Sequence, residues 1–181
     1  MSFMTFFWIL FVIIFIFELR VLFRNRCSSH DKCSLQLFTF VGYGLVVIIF
    51  LLYYLDTGSF NSLILRYFGL ILLFGGFILR QWSIYALGKF FIPVVNIQKK
   101  QKVIDIGPYR YLRHPSYTGL LLELFGFSLA LLNWIGVIAI FVLFLPVILY
   151  RIKIEENFLS EHLTGYKKYI AKTCKLIPPI Y

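Results

Sequence analysis

The chain has 181 residues, of which 60% are hydrophobic and only 14% charged, with a formal net charge of +10. A soluble domain of this length cannot keep so much apolar surface out of water, so the composition points to one domain with a bilayer as its solvent. The basic residues sit at the ends of apolar runs and no DNA- or RNA-binding signature occurs, so the charge suits contact with anionic membrane lipids and argues against a nucleic-acid partner.

Crossing a hydrocarbon core of about 30 Å takes roughly 20 apolar residues. The first such run covers residues 3–17 and extends past Glu18 to residue 23. It lacks a positive leading region and a small-residue cleavage site, so it reads as a retained span and not a signal peptide. The second run, 35–55, contains no charge, and the third covers about 62–79, with Arg66 near enough to its start to reach the interface. After a polar stretch, residues 119–150 are almost wholly apolar. That length is too great for one comfortable crossing, and Asn133-Trp134-Ile135-Gly136 supplies a turn signal near its middle. Two short antiparallel helices, 119–133 and 135–150, are therefore predicted. The expected fold is an all-α polytopic membrane domain with five transmembrane helices.

Five crossings place the termini on opposite sides. Every basic residue except Arg66 then falls on one side: Arg20, Arg24, Arg26 and Lys32 after the first span, those from Arg80 to Arg113 after the third, and those from Arg151 to Lys175 after the fifth. The positive-inside rule makes that side cytoplasmic and puts the N-terminus outside. Cys27, Cys33 and Cys174 fall on the same side, where thiols stay reduced. Cys27, His30, Asp31 and Cys33 invite a metal reading, but their Cys-x5-Cys spacing is unusual for zinc and no second pair follows. An ordinary loop without metal is the expectation.

Two polar clusters stand out against this background. Gln98 to Ser116 reads QKKQKVIDIGPYRYLRHPS and runs directly into the fourth span. Pro108 and Pro115 restrict its backbone, while Gly107 and Gly119 permit turns or close approach of a ligand. A rigid, irregular, polar segment at the membrane face is what a pocket for a charged cofactor needs, and it is also what a loop with interfacial anchors looks like. The second cluster, Arg151-Ile152-Lys153-Ile154-Glu155-Glu156, follows the last span. Arg151 and Glu155 share one face of a continuing helix, which by itself implies no more than an ion pair worth tenths of a kcal/mol. Glu123, about one turn into the fourth span, is an ionisable group inside a membrane and so a functional candidate, with its role open.

Taken in order, the motifs resemble a known family. Residues 107–119, GPYRYLRHPSYTG, contain Arg-His-Pro-x-Tyr-x-Gly, and two spans later comes Arg-x3-Glu-Glu. With Arg80-Gln81-Trp82, Leu87-Gly88-Lys89-Phe90, Gly165-Tyr166-Lys167-Lys168-Tyr169 and Leu176-Ile177-Pro178, this order is similar to the isoprenylcysteine carboxyl methyltransferases and the related phospholipid methyltransferases, over about residues 80–181. The resemblance implies a cytoplasmic-face pocket for S-adenosyl-L-methionine, formed by the loop before the fourth helix and the C-terminal helix, and a lipophilic acceptor entering from the bilayer. It implies cofactor contacts from Tyr109, His114, Pro115, Ser116, Tyr117 and Glu155, with Gln101, Lys102, Val103 and Ile104 lining the pocket and Asn96 contributing. Many relatives carry His where this chain has Gln101, which hydrogen-bonds but cannot titrate. Arg151 matches the arginine assigned to substrate, and Arg113 is a second catalytic candidate whose alternative role is to brace the loop. O-methylation of a carboxyl group is the activity implied. A phospholipid N-methyltransferase, an NADPH-dependent sterol-type reductase and a non-enzymatic relic are the alternatives. The reductase fits less well, because Glu155-Glu156 occupies the C-terminal cluster and no tryptophan follows Trp134.

Overall fold

In lipid a long apolar run satisfies its backbone polar groups internally by becoming a helix. The protein, seen in a computed structural model that describes residues 3–23, 32–92, 95–97 and 101–177, is helical wherever such runs occur. Its helices are α1 (Phe3–Phe23), α2 (Lys32–Tyr54), α3 (Leu63–Leu87), α4 (Pro115–Ala130), α5 (Trp134–Ala139), α6 (Leu145–His162) and the short α7 (Tyr166–Ile170). Among the described residues there is no strand, only two isolated bridges. Cys27, His30 and Asp31 lie outside the described residues. Among those described, no group of three or more His, Cys, Asp or Glu side chains comes together.

Four helical stretches are long and apolar enough to cross a membrane: Phe3–Val21, Cys33–Tyr54, Leu63–Phe90 and Trp134–His162. Their outward faces carry Phe40, Ile64 and Ile71 at 79%, 82% and 67% exposure, a surface that only lipid would cover without cost. The inward faces meet in one core, where Phe7 and Leu10 of α1, Leu45 and Ile49 of α2, Leu73 of α3 and Phe127 of α4 are buried together.

The order of contacts along the helices gives their directions. Phe3 packs edge-on to Tyr67, Phe17 packs on Phe77, and Glu18 pairs with Arg80, so α1 and α3 run the same way. Gly69 faces Ala130, Leu73 faces Gly126, and Arg80 faces Gly119, so α4 runs antiparallel to α3. At one end of the bundle the turn after α2 meets the turn after α4. There the Asn133 side chain caps α5 at the Gly136 N–H (2.8 Å) and donates to the Thr57 carbonyl (2.8 Å), while the Trp134 N–H donates to the Gly58 carbonyl (3.1 Å). The opposite end carries the 101–114 loop and the C-terminal segment.

Three features differ from the sequence reading. Helix α3 runs to Leu87, well past 79, because Arg80 does not end it. That guanidinium is buried and makes a two-pronged pair with Glu18, Nη2 to Oε2 being 2.7 Å, so its charge is neutralised inside the bundle instead of exposed in a loop. The segment after Asn133 is not a short helix. It continues unbroken through α5, a π-helical turn (Ile140–Phe144) and α6 to His162. Pro146 lacks an N–H and would clash with the preceding turn, and the wide π turn absorbs that defect without stopping the helix. Helix α4 has 16 residues, about 24 Å at 1.5 Å each, and is not among the four stretches of full crossing length.

The α3–α4 contact depends on Gly126. A Cβ there would lie 2.2 Å from the Leu73 backbone nitrogen and 2.6 Å from the Gly69 carbonyl oxygen. Gly126→Ala is expected to push the helices apart and destabilise the fold by about 1–3 kcal/mol, lowering the midpoint of thermal unfolding in detergent. Gly44→Ala, where a Cβ meets nothing within 4 Å, is the control and is expected to leave the midpoint unchanged or slightly higher.

Candidate active site

The 101–118 segment takes its shape from its own residues. Gly107 has φ +57°, a left-handed conformation costly for other residues, and a Cβ there would lie 3.1 Å from the Trp82 indole nitrogen. Pro108 then opens a 3-10 turn over Gly107–Arg110, and Pro115 opens α4 with His114 as the capping residue. The C-terminal segment holds this loop from outside. The Arg113 N–H donates to the Cys174 carbonyl (2.8 Å) and the His114 N–H to the Lys175 carbonyl (3.1 Å). The Tyr169 hydroxyl donates to the Tyr109 carbonyl (2.6 Å), and the Thr118 hydroxyl to the Leu176 carbonyl (2.8 Å).

Loop, α6 and C-terminal segment enclose a cavity. It is lined by Asn96, Gln101, Lys102, Val103, Ile104, Tyr109, Arg113, His114, Ser116, Tyr117, Arg151 and Glu155, which are all but one of the cofactor-binding and catalytic candidates named from the resemblance. Pro115 is the exception: it is fully buried and starts α4 without lining the cavity. The cavity also takes in Tyr166 and Tyr169 of α7 and Phe38 of α2. The two tyrosines had a signal in the sequence, a Tyr-x2-Tyr pair at helical spacing beside a glycine. Phe38 and Ser34 had none, because nothing in an apolar run says which face meets α6.

Two hydrogen-bonded groups organise the polar wall. In the first, the Tyr117 hydroxyl lies between the two members of the i,i+4 pair: it donates to Glu155 Oε2 (2.9 Å) and accepts from Arg151 Nε (2.9 Å). Arg151 is buried and also donates to the Ser34 hydroxyl (2.9 Å), with its guanidinium 5.3 Å from the Phe38 ring centroid. Glu155 Oε1 makes no hydrogen bond among the described residues. In the second group, Glu156 accepts from Arg113 Nε (2.6 Å), lies 3.3 Å from His114 Nε2 and 3.8 Å from Lys175 Nζ. Arg113 reaches onward to the carbonyls of Ile170 (3.0 Å) and Thr173. Burial, with the Glu155 carboxylate nearby, pushes the Tyr109 and Tyr166 phenols well up, and burial does the same for Tyr169. These tyrosines therefore keep their protons at neutral pH and act as donors and ring faces, not as bases.

A second cavity adjoins the first and shares Phe38 and Arg80 with it. Its wall is mainly apolar, built from Phe11, Ile14, Phe15, Leu124, Phe127 and Phe144, with Glu18 and Glu123 as its carboxylates.

The bundle thus carries at one end a pocket with charged walls, adjoined by an apolar cavity that shares Phe38 and Arg80 with it, in a chain with helices apolar enough to cross a membrane. The chain belongs to the phospholipid methyltransferase family, whose profile matches residues 64–165. It is 34% identical over 96 residues to protein-S-isoprenylcysteine O-methyltransferase B of Arabidopsis thaliana, a match covering 52% of this chain and 49% of that one. The A form from the same plant is 31% identical over 114 residues, 61% of this chain and 58% of its own. The solved structure of a eukaryotic intramembrane Ras methyltransferase, isoprenylcysteine carboxyl methyltransferase, superposes with a TM-score of 0.63 at 26% identity, covering 83% of this chain and 55% of that one. The chain thus spans about half the length of the curated relatives it matches.

Proposed function

We propose that the protein is a membrane methyltransferase that uses S-adenosyl-L-methionine to methylate an oxygen, most simply a carboxylate, on a lipophilic acceptor entering from the bilayer. The observation that carries this reading is Glu155: a carboxylate held in place by Tyr117, with Oε1 unpaired among the described residues, in a cavity walled by tyrosines. The residues fit the cofactor. Glu155 suits its ammonium, the faces of Tyr109 and Tyr166 suit its adenine or sulfonium, and the Ser116 end of α4 suits its carboxylate. Asn96 and the Gln101–Ile104 stretch close the side of the same pocket. When bound there, S-adenosyl-L-methionine supplies a methyl group on a positively charged sulfur, ready for in-line displacement.

The chain's own contribution is placement. Arg151 holds the anionic acceptor oxygen in line and, through Tyr117, is locked to the residue that holds the cofactor. A carboxylate arrives already ionised, so no general base is required. Arg113 acts as a positioning residue that fixes His114 and the C-terminal segment. The adjoining apolar cavity takes the acceptor's lipophilic part and keeps water from the reacting oxygen. In the membrane, α4 is the fourth of five passes, shielded by its neighbours so that a short helix suffices. The end bearing the site is cytoplasmic and the N-terminus is outside, since the basic residues gather at the site end.

Calorimetric titration of the detergent-purified protein with S-adenosylmethionine, S-adenosylhomocysteine and NADPH tests this. Binding of the two adenosyl compounds and not of NADPH is expected. A folded protein that binds neither adenosyl compound would sink the proposal, and binding of NADPH alone would favour a reductase.

A further inference from the structure

The adjoining cavity holds a polar group that the proposed chemistry does not use. Glu123 is 4% exposed, lines this cavity, and its Oε1 is buried without a hydrogen-bond partner among the described residues. Neither charged neighbour hydrogen-bonds to it among the described residues. Glu18 is engaged on both oxygens by Arg80, whose remaining contacts are the Ser116 carbonyl (3.1 Å) and hydroxyl (3.0 Å). Thr39, also on the wall, is satisfied by the Leu35 carbonyl (2.7 Å). The Glu123 backbone is fixed within the close α3–α4 contact, its nitrogen 2.7 Å from where a Cβ on Gly76 would be. An unsatisfied buried carboxyl is costly, and a purely hydrocarbon ligand would do nothing to relieve it. The cavity's volume of about 110 Å³ leaves room for a ligand group beside it.

We propose that Glu123 is a specificity-determining residue that accepts a hydrogen bond from a hydroxyl or amine donor carried within the otherwise apolar part of the acceptor. This rests on the methyltransferase reading, because the cavity shares Arg80 and Phe38 with the cofactor pocket and so receives the part of the acceptor next to its reacting end. Its acceptor class is then a lipophilic molecule with a second, donor-bearing polar group, distinct from a plain hydrocarbon tail ending in a carboxylate. An exchange of Glu123 for a hydrophobic residue removes that discrimination and leaves the cofactor pocket in place.

Binding of 1-dodecanol and of its methyl ether, equal in chain but lacking the donor, tests the inference by competition against a fluorescent fatty-chain probe in detergent. The wild type is expected to prefer the alcohol by about two- to tenfold, the range of one hydrogen bond to an uncharged group. Glu123→Leu is expected to bind both equally, and Glu123→Gln, which keeps an acceptor oxygen, to retain part of the preference. S-adenosylhomocysteine affinity, measured on the same samples, is expected to be unchanged in both variants. Equal binding of alcohol and ether by the wild type, or a preference that survives in Glu123→Leu, overturns the inference. Loss of S-adenosylhomocysteine binding by the wild type itself would instead overturn the methyltransferase reading on which it rests.

Discussion

Glu155→Ala is expected to weaken S-adenosylmethionine binding by about a hundredfold, whereas Arg151→Ala is expected to leave that affinity within a few-fold and lower kcat by a similar factor. The asymmetry follows from where the two charges point. Glu155 lines the cavity with one oxygen on Tyr117 and no hydrogen-bond partner for the other among the described residues, and it is the acidic group among the described residues that line that pocket. A charge-assisted hydrogen bond in a partly desolvated site is worth about 1.5–3 kcal/mol, and 2.7 kcal/mol is a factor of about a hundred. Arg151 lines the same pocket, but its guanidinium bonds the Tyr117 hydroxyl and, on α2, the Ser34 hydroxyl, and lies against the Phe38 ring that also lines the apolar cavity. Its removal loses orientation of the acceptor oxygen, an interaction realised chiefly in the transition state, which lowers kcat more than cofactor affinity. Titration calorimetry and single-turnover methyl transfer on the two variants separate these effects. A loss of cofactor affinity in Arg151→Ala with normal affinity in Glu155→Ala would reverse the assignment of roles.

How much of this was legible in the sequence depends on the range of the interaction. Apolar runs of crossing length announce helices directly, because in lipid nothing else satisfies their backbone. The Arg-His-Pro-x-Tyr-x-Gly and Arg-x3-Glu-Glu strings likewise mark two walls of the cavity, since each is local, one at the start of α4 and the other on one face within α6. The failures were long-range. Arg80 looked like a loop charge because its partner, Glu18, lies 62 residues away in a different helix. The apolar span ends at Tyr150, and the helix continues past it to carry Arg151, Glu155 and Glu156 toward the site. Glu18 and Glu123 were visible as charges in apolar runs. That one is spent on Arg80 and the other is not is a fact of packing that no single run contains.

Arg113→Ala is expected to be the most destabilising single change at the site, by about 3–5 kcal/mol. The Arg113 and Glu156 side chains are 8% and 13% exposed, and the guanidinium also satisfies the carbonyls of Ile170 and Thr173. Removing it leaves Glu156 with His114 and Lys175 and takes away the side-chain ties to Ile170 and Thr173, while the backbone bonds to Cys174 and Lys175 remain. Arg113→Lys should restore little, because one ammonium cannot span a carboxylate and two carbonyls at once. Glu156→Gln together with Arg113→Ala is expected to cost less than the sum of the single changes by about 1–3 kcal/mol, as thermal unfolding in detergent would record. The positioning role makes a further demand that stability alone does not. Below its unfolding temperature, Arg113→Ala should raise KM for S-adenosylmethionine at least tenfold as His114 and Tyr117 loosen, with kcat within a few-fold of wild type. If instead kcat collapses while KM holds, Arg113 touches the reacting atoms and belongs with Arg151 as a catalytic residue.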